Sequence, residues 1–344
     1  MSKNVIFCSD GTWNGPGETD VQANTTDATN VFKIFTCLSG VDSPSALRLA
    51  SEQERELVVN GVTQQIAKYI DGVGDSTNFL VKIMGGAFGA GLITRILRGY
   101  TFVSRNYEDG CEIFLVGFSR GAYTVRALSG FIAARGLLDP RRIDLSDKES
   151  AYRQAAAIWY DYRKDAMKND PDMLGELQDA VLDLPGFFTR AATQDLIPNV
   201  QIKAIAVWET VGALGIPVVS AQGARINALQ FADTTLSTVV SSAFHAVAID
   251  EQRSDFTPTL WNNWKQGQVV VQTLFPGAHA DVGGGYPTAN SESGLSDGAL
   301  AWIVGKLGAT GVKFASPPAY RLAADAGGTA HEPWRKAPWN LLPN

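Results

Sequence analysis

Ile113-Phe114-Leu115-Val116-Gly117-Phe118-Ser119-Arg120-Gly121-Ala122 compresses a strand, a turn and a helix start into one run. The four leading apolar residues predict a buried strand. Ala122, Val125, Leu128 and Ile132 then recur at helical spacing. Between the two patterns lies Gly-x-Ser-x-Gly. A strand, a glycine-flanked serine and a helix together are the setting of a nucleophile elbow, a sharp turn that lifts the serine oxygen out of the sheet. A side chain at 117 or 121 would crowd that turn, and glycine removes it. The plainer alternative is a tight strand-to-helix turn with a serine N-cap.

Working outward, the same alternation of strand and helix recurs. Residues 5–8, 66–71, 202–207 and 269–274 read as further strands, while 41–60 reads as exposed loop with some helix. Asn30 is placed to cap a helix carrying Val31, Ile34, Phe35 and Leu38. Helical patterns are expected over 92–100, from the elbow to about 135, over 147–183, over 236–249 with His245 on board, and over 296–307. Gly85 to Gly91 lacks the order of a dinucleotide loop and reads as the entry to a helix, or as a lid over an apolar pocket. The expected fold is therefore α/β, a mostly parallel central sheet with helices on both faces. We expect a single domain over 1–344, with 136–195 as a helical cap insertion and 315–344 as a loosely structured tail.

Composition narrows the function classes. Hydrophobic residues make up 45% and charged residues 19% of the 344, as in ordinary globular proteins. A net charge of −6 without a basic run argues against a nucleic-acid partner. The spacing of Cys8, Cys37 and Cys111 fits neither a disulfide framework nor a zinc site. With three histidines a histidine-rich metal site is not expected, and no cofactor is expected. The start, Met1-Ser2-Lys3-Asn4, runs straight into a strand, and no segment has signal-peptide or transmembrane length. The expectation is a cytoplasmic product, with export by a route that reads no N-terminal signal left open.

In open parallel sheets, ligands sit at the carboxyl ends of the strands. Four of the expected strands end in polar, glycine-rich loops, carrying Asp10, Ser119, Glu209 and His279. The order Ser, acid, His is that of the α/β-hydrolases. A serine hydroxyl needs a base to take its proton, and His279 supplies one near neutral pH. A carboxylate must then hold the imidazole in the right tautomer. Glu209, just past a buried strand, is best placed. Asp281 is the rival, but it lies two residues from His279 and reads rather as shaping that loop. His245 is the other base candidate and reads as packed or supporting; His331, in a Pro-rich tail, reads as surface. The oxyanion hole is expected from the amide of Arg120 with Gly11 or Thr12. Asp10 reads as tying its own turn together, with a polar role at the site mouth as the sharper alternative.

Four ordered motifs carry a resemblance: Asp10-Gly11-Thr12-Trp13-Asn14; Gly117 to Ala122; Trp208-Glu209-Thr210-Val211-Gly212-Ala213-Leu214-Gly215; and Gly277-Ala278-His279-Ala280-Asp281-Val282-Gly283-Gly284-Gly285-Tyr286. Together they resemble the α/β-hydrolase family, long labelled a domain of unknown function, that includes the phospholipase effectors of bacterial type VI secretion. Residues 85–100 and 245–261 also look like that family, so the resemblance runs from about 4 to about 307. It implies a serine esterase acting on lipid-like acyl esters, with transient contact at a membrane surface. Ser119 and His279 match the family's nucleophile and base. Glu209 stands where the family usually has Asp. The remaining alternatives are acyl transfer, thioester or amide hydrolysis on the same triad, and a non-catalytic hydrolase-like binding protein.

Overall fold

The computed structural model describes residues 2–11, 27–43, 52–72, 87–166, 195–211 and 234–336. Its centre is an eight-stranded sheet in the order β10-β9-β8-β5-β1-β4-β3-β2. The members are β1 (Asn4–Ser9), β2 (Val41–Asp42), β3 (Glu52–Val59), β4 (Val62–Ile70), β5 (Glu112–Phe118), β8 (Ile202–Trp208), β9 (Val240–Ala248) and β10 (Val269–Phe275). Strands β6 (Leu137–Leu138) and β7 (Leu196–Ile197) form a separate short antiparallel pair. From β4 through β1, β5, β8 and β9 to β10 every pairing is parallel. Only β3 and β2 extend it antiparallel. The protein is thus mixed α/β with a mostly parallel sheet.

Strand alternation explains the two cores. On one face Val5, Phe7, Ile113, Leu115, Ile205 and Val207 meet helices α2 (Ala87–Asn106), α3 (Arg120–Arg135) and α4 (Lys148–Ala166). On the other, Ile6, Cys8, Phe114, Val116, Ala206 and Trp208 meet α1 (Asn30–Cys37) and α6 (Gly294–Ala309). Both faces of β1, β5 and β8 are covered, so these strands have no solvent side to mark with polar residues. Each large apolar side chain buried this way contributes about 1.5–3 kcal/mol.

Several expectations change. Residues 240–248 form β9, not a helix, and His245 sits on a strand. A parallel strand buried on both faces shows no alternation, so Phe244 and Val247 at a spacing of three mimicked a helical face. Within 41–60, Val41–Asp42 and Glu52–Val59 form β2 and β3 and 44–51 lies outside the described residues; Lys68 of β4 meets Glu52 at 2.7 Å and Glu54 at 3.1 Å. The N-cap of α1 is Thr29, one residue before Asn30, whose amide instead donates to the carbonyls of Val282 and Ser296, each at 2.9 Å.

Of the expected 147–183 helix, α4 spans Lys148–Ala166 and 167–183 lies outside the described residues. Trp159 of α4 is fully buried, edge-on to Phe131 of α3 with centroids 5.1 Å apart. Gly85 and Gly86 also lie outside the described residues, and α2 begins at Ala87. Among the described residues no helix is long and apolar enough to cross a membrane, and no group of three or more His, Cys, Asp or Glu is placed to hold a metal.

Candidate active site

The sheet order reverses at β1. After β1 the chain crosses to the edge strand β2, comes back through β3 to β4 beside β1, then passes β1 to β5 and on through β8, β9 and β10. A crevice at the carboxyl ends of β1 and β5 is where such sheets take ligands. Ser119 stands there, between β5 and α3.

Its backbone is at φ 56°, ψ −119°, a conformation that costs a non-glycine residue about 1–3 kcal/mol and persists only where its surroundings enforce it. They do so here. The Ser119 N–H donates to the Trp208 carbonyl at 3.1 Å, and its own carbonyl accepts from Tyr123 at 3.1 Å. A Cβ on Gly117 would lie 2.5 Å from the Gly121 carbonyl oxygen, and one on Gly121 would strike the Ser9 carbonyl. The two flanking glycines are therefore required by close backbone approach, as the motif implies.

The loop after β1 leans on the same turn. A Cβ on Gly11 would sit 3.1 Å from Ser119 Cβ and 3.2 Å from the Phe118 ring. The Gly11 N–H, expected as an oxyanion donor, instead donates to Asp10 Oδ1 at 2.7 Å. Thr12 lies outside the described residues. Arg120 opens α3, where first-turn amides have no carbonyl of their own helix to meet. Burial, and then the charge of Arg95, lower the Arg120 guanidinium to about 9.

Asp10 is fully buried. Its Oδ2 accepts from Thr29 Oγ1 at 2.5 Å and Tyr69 OH at 2.7 Å, tying β1 to the start of α1 and to β4. Burial outweighs these hydrogen bonds and raises the carboxyl to about 7.

Glu209 and His279 meet across the ends of β8 and β10. Glu209 is fully buried and follows β8 with φ 44°. Its Oε1 accepts from the Ala248 N–H at 2.5 Å, and its Oε2 lies 3.2 Å from His279 Nδ1. A proton on Nδ1 shared with the carboxylate leaves Nε2 as the imidazole's acceptor. His279 opens the short helix α5 (His279–Gly283). Its ring lies between Phe118, with centroids 4.7 Å apart, and Phe256, at 4.9 Å. The base candidate thus packs on the residue preceding Ser119.

His245 and Asp281 bond to the sequence neighbours of this pair. His245 Nε2 accepts from the N–H of Thr210, the residue after Glu209, at 3.2 Å. Burial, and then the charge of Arg126, push its imidazole down to about 3, so it is held neutral. Asp281 does not reach His279; its Oδ2 accepts from the Ala278 N–H at 2.9 Å, within the same turn.

Sequence reasoning passed over Glu251. Its Oε2 accepts from the His279 N–H at 3.1 Å while Arg253 grips the same carboxylate at 2.8 Å from both Nε and Nη2. Phe256 comes from the same loop. The available signal was an acidic pair, Asp250-Glu251, at a strand's carboxyl end; reading β9 as a helix concealed it.

Comparison with known proteins identifies the family of the chain. Residues 3–306 match the family model described as the type VI secretion (T6SS) phospholipase effector Tle1-like catalytic domain. The chain belongs to that family. Among curated relatives, it is 24% identical over 267 residues to a Saccharomyces cerevisiae protein named "Uncharacterized protein YEL023C", covering 74% of this chain and 32% of the yeast one. Among solved structures, an uncharacterized protein from Pseudomonas aeruginosa aligns with TM-score 0.48 and 16% identity, over 91% of this chain and 46% of that one. The Tle1 effector bound to the VgrG spike of the type 6 secretion system aligns with TM-score 0.36 and 18% identity, over 83% and 51%. This Tle1-like chain spans about a third of the yeast relative and about half of each solved chain.

Proposed function

We propose that this Tle1-like domain is a serine hydrolase of the α/β-hydrolase type that cleaves carboxylic esters of lipid-like substrates, phospholipids above all. The observation that carries the reading is the buried Glu209 carboxylate 3.2 Å from His279 Nδ1, with the imidazole packed on Phe118 beside a backbone-strained Ser119. Family membership supports the substrate class.

In this reading Ser119 Oγ attacks the acyl carbon as His279 Nε2 takes its proton. Glu209 fixes the imidazole and stabilises the imidazolium. The tetrahedral oxyanion is held by the Arg120 amide and a second donor from the loop after β1. Collapse breaks the ester C–O bond, and the leaving alcohol takes the proton from Nε2. Water, deprotonated by the same nitrogen, then releases the acid and restores Ser119. Of the expected 136–195 cap, the described helix α4 packs on α3 in the core. Glutamate in place of the family's aspartate is compatible with the role, because its longer side chain seats one oxygen on Ala248 and keeps the other at His279.

The test is intact mass after treatment with a long-chain fluorophosphonate, beside Ser119→Ala and Glu209→Gln. One adduct, absent in Ser119→Ala and slowed in Glu209→Gln, is expected. An adduct of undiminished yield on Ser119→Ala overturns the reading. Phospholipid hydrolysis measured on vesicles then tests the substrate class.

A further inference from the structure

Asp281 is fully buried two residues after His279, on the same short helix, and it has three donors. Besides the Ala278 N–H, its Oδ2 accepts from the His331 N–H at 2.9 Å, and its Oδ1 lies 2.6 Å from His331 Nδ1. His331 comes from beyond residue 306, where the match to the family ends. The sequence placed it on the surface; its side chain is 13% exposed. Its ring stacks on Tyr286 with centroids 3.5 Å apart and planes 12° from parallel, and its Nε2 faces Glu292 at 3.6 Å.

The segment that delivers His331 has little regular structure, yet it is stitched down in order along its route. Ala315 donates to the Cys37 carbonyl at 2.8 Å, Ala323 to Asp297 at 3.0 Å, Asp325 to the Gly294 carbonyl at 3.0 Å and Thr329 to the Ser291 carbonyl at 3.4 Å. The path ends at Asp281. Two imidazole–carboxylate pairs therefore share helix α5: His279 with Glu209, and Asp281 with His331.

We propose that His331 is a positioning residue for His279: it holds the Asp281 carboxylate, and Asp281 holds the turn that presents the His279 imidazole to Ser119. The inference rests on the reading of His279 as the catalytic base. Its physical basis is that a buried carboxylate must be satisfied. Removing the imidazole leaves Asp281 with backbone donors alone, and the carboxylate gains by turning toward other donors or toward water. Any such turn frees the Ala278 N–H and moves the Gly277–Ala278 peptide that leads into His279. Displacements of about 1 Å in a catalytic group cost on the order of 100-fold in rate.

The test compares His331→Asn, His331→Gln and His331→Ala in the full chain, with Ser119→Ala alongside, by fluorophosphonate labelling rate and by kcat and KM on a short-chain acyl ester. An asparagine amide nitrogen takes the place of Nδ1 and keeps the bond to Asp281; a glutamine amide falls near Nε2 and loses it. We expect His331→Ala and His331→Gln to lose about 10- to 100-fold in kcat with KM within about twofold, and His331→Asn to recover most of the loss. The Asn–Gln contrast decides the matter even if the alanine variant does not fold. Equal rates for Asn and Gln in folded protein overturn the proposal, as does wild-type labelling of His331→Ala. Labelling of Ser119→Ala at the wild-type rate overturns the underlying catalytic reading, and the proposal with it.

Discussion

Glu209 divides its carboxylate between two partners, giving Oε1 to the Ala248 N–H and Oε2 to His279 Nδ1. The first contact anchors the side chain to the end of β9; the second reaches toward β10. With φ at 44°, the backbone is turned so that a glutamate spans the gap. Shortening it by one methylene cannot keep both contacts. Glu209→Asp is therefore expected to slow fluorophosphonate labelling of Ser119 by about 10- to 100-fold. Glu209→Gln, which lets the imidazole settle in the wrong tautomer, is expected to lose more, on the order of 10⁴-fold in kcat. Labelling rates measured side by side give the order.

Gly11 and Gly121 crowd the same turn from different sides, and their substitutions should separate reactivity from stability. A Cβ at 121 meets the Ser9 carbonyl and the Asp10 carbonyl oxygen, both backbone, so β1 and α3 would have to part. Gly121→Ala is expected to lose about 1–3 kcal/mol or more of stability, read as a shift in the urea midpoint. A Cβ at Gly11 meets Ser119 Cβ at 3.1 Å and a Phe118 ring carbon at 3.2 Å, contacts that a few tenths of an ångström relieve. Gly11→Ala should keep nearly the wild-type midpoint but label more slowly, because the relief comes from the turn that carries Ser119.

Asp10 and His245 should give opposite pH slopes to stability. Burial raises Asp10 from an ordinary value of 3.8 to about 7, so the folded protein binds the extra proton in that interval. Its contribution is full below about 4 and is lost as pH rises to about 7. Burial, followed by the charge of Arg126, lowers His245 from 6.5 to about 3, so the unfolded chain binds the extra proton. Its contribution is full above about 6.5 and is lost as pH falls toward 3. Each is worth up to about 4 kcal/mol, and between pH 4 and 6.5 the two oppose each other. Urea unfolding across that range is expected to be steeper upward with pH in Asp10→Asn than in wild type, and to tilt the other way in His245→Gln. Parallel slopes for all three proteins would defeat this account.

The fold was legible where burial left a plain trace. Val5–Cys8, Ile113–Val116 and Ile202–Val207 are apolar runs because both sheet faces are covered, and the loops after β1, β5, β8 and β10 carry the polar residues. The order Ser119, Glu209, His279 placed each residue at a strand's carboxyl end, where the structure has them. Two kinds of residue were hidden. Strand β3 is rich in charge because Glu52 and Glu54 meet Lys68 in a neighbouring strand, and such a pairing leaves no local pattern. His331 reaches Asp281 across 50 residues through a chain of backbone hydrogen bonds, a relationship that neither composition nor period records.

Lys33 and Asp297 join α1 to α6 in the core opposite the helices of the elbow. Both side chains are fully buried, with Nζ 3.0 Å from Oδ1. Burial pulls the lysine below its ordinary value, and the aspartate's charge pulls it back. Asp297 also accepts from Tyr320 OH at 2.8 Å and from the Ala323 N–H at 3.0 Å, so this pair anchors the segment leading to His331. Lys33→Met leaves a buried carboxylate without its cation and is expected to cost about 3–5 kcal/mol by urea unfolding. Lys33→Met combined with Asp297→Leu should cost less than the sum of the two single changes, since the second removes the stranded charge that the first creates. Tyr320→Phe, which removes one donor and leaves the ion pair, is expected to cost about 1–2 kcal/mol. If α6 merely packed on α1 through its apolar residues, Lys33→Met would be close to neutral, and the measured midpoint separates the two cases.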